Sequence, residues 1–155
     1  MNDLPTRPNK EFSRIMFPLE KDPDGYPPDN WESLWGEEIE PGKFRIDNIP
    51  FFVRGVSPGD LVAVEERGGD VQFREILTRS DISVVRVFVT DDREVFRLRE
   101  LLKVMGCKSE LSHLSRLFSV EIPGDVSLKK VLDLLSSREQ EGLLDYEEAS
   151  IRQHK

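Results

Sequence analysis

A chain of 155 residues suits one ordinary domain or two small modules sharing a core, and its 37% hydrophobic and 34% charged side chains imply a folded core under a heavily solvated surface. Its 22 Lys+Arg against 30 Asp+Glu give a net charge of −8, which repels phosphate backbones and argues against general nucleic-acid binding. The single cysteine, Cys107, cannot form an internal disulfide, and no run approaches the ~20 apolar residues of a membrane span or the apolar core of a signal peptide, so the composition points to a cytoplasmic protein.

Residues 1–10 contain Pro5 and Pro8 and little that can pack, which predicts a flexible N-terminal arm. "FSRIMFPL" reads as a first strand, with Phe12, Ile15 and Phe17 as its apolar positions. "EKDPDGYPPDN" is loop by its Asp, Asn and Pro content; a loop of that length is functional or pinned to the body by Tyr26. Trp31 to Ile49 reads as a hairpin around "EPG", with Phe44 and Ile46 alternating against Lys43, Arg45 and Asp47. "GVSPGD" resets the chain, and "LVAVEE" and "VQFREIL" form two further strands around "RGGD", where Gly tolerates positive φ. Residues 11–80 are therefore expected to be a curled antiparallel β unit, small and barrel-like.

Residues 81–150 change character. "SVVRVFV" is a strand rich in β-branched residues. "DDREVFRLRELLKVMG" is a helix with Asp91 or Asp92 at its start, Val95, Leu98, Leu101, Leu102 and Met105 at helical spacing, and Gly106 at its close. "CKSELSHL" and "LFSVEIP" are short strands. "DVSLKKVLDLLSSREQEG" is a second helix with Leu128, Val131, Leu132 and Leu135 inward, and "LLDYEEAS" is a last strand. The order β-α-β-β-α-β predicts a ferredoxin-like unit, followed by a tail at 151–155. The fold class is α+β.

The strings "FPLEKDPDGYPP", "ESLWGE", "FRIDNIPFFVRGVSPGDLV", "VVRV" and "LLDYEEA" resemble the DUF4265 family of bacterial proteins of unknown function, over roughly Phe17 to Ala149. The resemblance implies a bacterial, cytoplasmic, single-module protein. It carries no activity, cofactor or catalytic residues.

Chemistry must come from the residues. Two histidines, His113 and His154, and one cysteine lack zinc-ligand spacing, so no metal or other cofactor is expected. Asp22 and Asp24 in "DPDG" begin like a calcium loop, but Tyr26 and two prolines replace its further ligands, which favours an ordinary turn. Cys107 follows a helix-ending glycine, a packing position, and Ser57 in "GVSPGD" lacks the G-x-S-x-G spacing of a nucleophile elbow. Neither "RGGD" nor "SPGD" can cradle phosphate, because each sets an aspartate beside the glycine. The paired carboxylates Glu37-Glu38, Asp91-Asp92 and Glu147-Glu148 read as solvated charge, since neighbours in a strand point to opposite faces.

What remains is "IPFFVR". Pro50 breaks the ladder and Gly55 permits a bend, so Phe51 and Phe52 are expected to be mostly buried between the two halves, with Arg54 satisfied by Asp47 or Asp60. The alternative is an aromatic hot spot with an arginine beside it. The candidate partner-binding residues are Trp31, Trp35, Phe51, Phe52, Arg54, Glu37, Glu38, Glu147 and Glu148. The functional expectation is a non-catalytic acidic protein-binding module of the immunity or antitoxin kind, neutralising a basic protein partner. The alternative is a small-ligand-binding regulatory domain, and behind it stands an enzyme with an unrecognised carboxylate site. No nucleic-acid or membrane partner is expected, and the oligomeric state stays open.

Overall fold

The computed structural model describes residues 12–155, so the expected N-terminal arm lies outside the described residues. The chain divides into two compact units between Ser80 and Asp81.

The first unit contains β1 (Phe12–Pro18), β2 (Trp31–Glu40), β3 (Lys43–Ile46), β4 (Leu61–Arg67) and β5 (Asp70–Thr78). Strand alternation sends Ile15, Phe17, Leu34, Phe44, Ile46 and Val62 to one side, where they form the core with Val56. Phe17 stacks on Phe73 with ring centroids 4.7 Å apart. The β4–β5 turn is built by Gly68 and Gly69, both at positive φ (56° and 89°). Each strand pairs antiparallel with the next, and β1 then meets β5 through Ile15↔Val71 and Met16↔Gln72 in parallel. This corrects the expected barrel-like unit, while its antiparallel pairing of successive strands holds. It is an antiparallel five-stranded sheet curled until its edge strands touch, and the seam joining those edges is parallel and two residue pairs long. Sheet twist and the shifts in register between β4 and β5 supply the curl; alternation along single strands carries no sign of the direction in which first and last strands meet.

The second unit runs β6 (Ser83–Val89), α1 (Arg93–Val104), β7 (Lys108–Leu111), β8 (Leu117–Ile122), α2 (Leu128–Gln140) and β9 (Leu144–Ser150). Its sheet order β7-β8-β6-β9, antiparallel throughout, gives the βαββαβ unit the sequence predicts. Val85, Val87 and Val89 of β6 pack with Val95, Leu98 and Leu102 of α1 and with Leu128, Val131, Leu132 and Leu135 of α2. Leu101, one of the apolar residues at helical spacing, is 39% exposed because it lies off the arc defined by Val95, Leu98 and Leu102. Asp92 is the N-cap of α1, and Asp91 lies just before it: the Asp91 carboxylate accepts the Arg93 N–H at 3.0 Å and pairs with the Arg93 guanidinium at 2.7 Å. Those hydrogen bonds hold the Asp91 carboxyl down to about 2. Ser127 caps α2 by accepting the Lys130 N–H at 3.2 Å.

Candidate functional site

Strand β3 ends at Ile46, short of the Ile49 the sequence predicts, because a side chain takes over its ladder. The Trp35 N–H donates to Asn48 Oδ1 at 2.8 Å, and the Asp47 N–H donates to the Trp35 carbonyl at 2.9 Å. Beyond Pro50, which has no N–H, three successive backbone donors have left the sheet and need acceptors. Glu32 of β2 supplies them. Its Oε2 accepts from Phe51 at 2.6 Å, and its Oε1 accepts from Phe52 at 3.0 Å and Val53 at 2.8 Å. Gly55, at φ 77°, then turns the chain so that Val56 enters the core, against which Val53 also packs. Residues 50–56 are thus a strap latched to β2 by one carboxylate.

The loop between β1 and β2 is equally fixed. The Leu19 N–H donates to the Asn30 carbonyl at 2.9 Å. Asp22 Oδ1 accepts from Asp24 N and Tyr26 N, each at 2.9 Å, and the Asp22 N–H donates to the Tyr26 carbonyl at 2.8 Å. "DPDG" is therefore the ordinary turn expected of it, an aspartate folded onto its own backbone. Lys21 Nζ donates to the carbonyls of Pro27, Pro28 and Asp29 at 2.6, 3.1 and 3.0 Å. These bonds hold Tyr26 46% exposed, its ring in T-shaped contact with Phe52 at 6.0 Å and 70°.

Residues 32–146 match the model of a domain of unknown function, DUF4265. The chain belongs to the DUF4265 family. The match begins at Glu32, later than the resemblance read from the sequence, and leaves out the Tyr26 loop. A solved structure, described as a novel crystal structure of a hypothetical protein from Neisseria gonorrhoeae, shares the fold with this DUF4265 protein. Its TM-score is 0.79 at 21% identity, over 92% of this chain and 96% of that one. No curated protein matches the chain.

The residues singled out from the DUF4265 sequence divide into groups. Phe51 and Phe52 are half-buried and neither belongs to the two cores, while Val56 of the strap is buried and Val53 packs against the core of the first unit. Arg54 is exposed; Asp60, one of its two expected partners, is fully buried and accepts the Ser57 and Ser80 N–H groups at 2.9 and 2.8 Å. Trp31 is 45% exposed at the start of β2, but strand alternation puts it on the face opposite Glu32. Trp35, on the same face as Trp31, is 9% exposed and packs as structure; its Nε1 has no hydrogen-bond partner among the described residues. Glu37 and Glu38 are half-buried in β2, opposite Arg45 and Phe44. Glu147 is committed to Arg86, a 3% exposed arginine on the central strand β6, at 2.8 Å, and Glu148 pairs with Lys155 at 2.7 Å.

Cys107 is 2% exposed, and burial, with a smaller contribution from Glu121, pushes its thiol up to about 11. It is protonated near neutrality and therefore a poor nucleophile. Among the described residues no three His, Cys, Asp or Glu side chains gather in a metal-holding group. Among the described residues no helix is long and apolar enough to cross a membrane. Sequence reasoning missed Glu32 altogether, since no local signal ties a strand carboxylate to amides about twenty residues away. It also missed an open hollow on α1 lined by Phe96, Arg97, Glu100, Leu101 and Val104.

Proposed function

We propose that this DUF4265 protein is a non-catalytic, cytoplasmic protein-binding module of the immunity or antitoxin kind, with a basic protein as its partner. The observation that carries the reading is the latched strap. Glu32, Asp22 and Lys21 spend their hydrogen bonds on fixing two segments whose outcome is a pair of aromatic rings within reach of solvent. Fixed aromatics with an exposed arginine nearby are the composition of interface centres, and ordering them in advance lowers the entropy cost of association. The net charge of −8 favours encounter with a cationic surface. The lone, buried, protonated Cys107 suits a reducing compartment.

Affinity capture with the full chain at low salt, followed by gel filtration of the purified pair, tests the proposal. The expected result is a stoichiometric complex with a basic protein that dissociates as salt rises. An acidic partner, a salt-independent complex, or no partner at low salt would overturn it. The small-ligand alternative has one feature in its favour, the hollow on α1, and a metabolite that raised the melting temperature of the chain would support it.

A further inference from the structure

We infer that the outer face of α1 is a contact surface for a second copy of this chain, set antiparallel about a two-fold axis so that Arg97 of each copy meets Glu100 of the other. α1 carries two apolar stripes where a surface helix normally carries one. Val95, Leu98 and Leu102 form the inner stripe and pack in the core of the second unit. Phe96, Leu101 and Val104 lie outside it, and Phe96 and Val104 are 73% and 88% exposed. With Arg97 and Glu100 they line the open hollow. Residues 97, 100, 101 and 104 fall at i, i+3, i+4 and i+7, and Phe96 stands one turn before Glu100, so all five share one side of the helix. Within this lining the two charges cancel, although the chain carries −8. Of the nearby arginines, Arg93 pairs with Asp91, and Arg99 donates to Ser109 Oγ at 2.8 Å. Arg97 meets Glu94 at 3.4 Å, a surface pair of the kind that contributes little and exchanges readily. The occupant must therefore bring apolar side chains with one acid and one base among them. A purely basic segment would set a like charge against Arg97, and an acidic one against Glu100. α1 itself meets the requirement. A two-fold axis midway between positions 97 and 100 brings each Arg97 level with Glu100 of the other copy, while the apolar residues on either side exclude water. One helix face on each copy falls short of the ~800 Å² per partner of a stable interface, so the contact is weak and reversible.

Sedimentation equilibrium of the full chain from about 10 μM to about 1 mM tests the surface. The expected result is a monomer at the low end and a growing dimer fraction at the high end, with concentration-dependent amide NMR shifts concentrated on α1. Arg97→Glu or Glu100→Arg alone should weaken the dimer about tenfold, and the double swap should restore it to within about twofold of the wild type. Val104→Asp should take the dimer below detection with an unchanged melting temperature, since Val104 lies outside the core. A monomer at every concentration, a dimer indifferent to Val104→Asp, or a double swap that fails to restore what the single swaps lose would each overturn the inference. α1 amides that shift on removal of residues 1–11 rather than on dilution would overturn it too, and assign the face to that segment.

Discussion

Replacing Glu32 by glutamine removes the latch with almost no change in volume. The carboxylate accepts three backbone donors, at 2.6, 3.0 and 2.8 Å. The amide oxygen can keep the two from Phe52 and Val53, now as neutral bonds, while its NH2 faces the Phe51 N–H, donor against donor. A hydrogen bond to a charged group contributes roughly 1.5–3 kcal/mol against about 1 for a neutral one. One lost bond and two weakened ones come to roughly 2.5–7 kcal/mol before discounting. Because water reaches this half-buried segment, the expected loss is about 1–3 kcal/mol. Both tryptophans, Trp31 and Trp35, lie in β2, so urea unfolding followed by tryptophan fluorescence reports on the first unit alone. Native-state hydrogen exchange should show Phe51, Phe52 and Val53 deprotected together. A stability change under about 0.3 kcal/mol with those three amides still protected would refute the latch.

Phe51→Ala and Phe52→Ala should each cost about 1–2 kcal/mol in the same urea assay, well below the roughly 3–5 of a core phenylalanine, because both rings are half-buried. Gly36→Ala should destabilise the first unit by about 1–3 kcal/mol, since an added methyl would sit 2.5 Å from Ile15 Cδ1 and 3.1 Å from Phe44 Cβ; an unchanged urea midpoint would contradict that packing. The Cys107 thiol titrates near 9.0 when unfolded and at about 11 when folded, so above pH 9 the unfolded chain holds fewer protons than the native one. Stability should therefore fall between pH 9 and 11, by up to roughly 2 kcal/mol more in the wild type than in Cys107→Ala, and parallel pH curves for the two would remove the burial argument.

The second unit was legible in the sequence because its signals are local. Gly106 at the end of α1 and the helical spacing of Val95, Leu98 and Leu102 each act within a turn or two. Leu101 marks the limit of that approach: spacing defines a stripe but not the edge at which burial stops. In the first unit the strands were legible one by one, while the parallel meeting of β1 with β5 depends on accumulated curl that no single strand encodes. "IPFF" reads as a break at Pro50, which holds; its two rings are half-buried without belonging to either core, and Glu32, which no local signal announces, satisfies the backbone donors of the strap. The loop of Tyr26 reads in sequence as functional or as pinned by that tyrosine; in the structure Tyr26 meets Phe52. The acids Glu37, Glu38, Glu147 and Glu148 read alike in sequence, yet only Glu147 faces a buried arginine, a distinction set by the pairing of β6 with β9.

The most direct test of a protein-binding role is hydrogen exchange of the chain alone and in complex with the basic protein it captures at low salt. The account predicts new protection concentrated at Asp22–Asn30 and Phe51–Arg54, lost when salt dissociates the pair. Protection confined to Phe96–Val104 on α1, or no change at the Tyr26 loop and the strap, would contradict it.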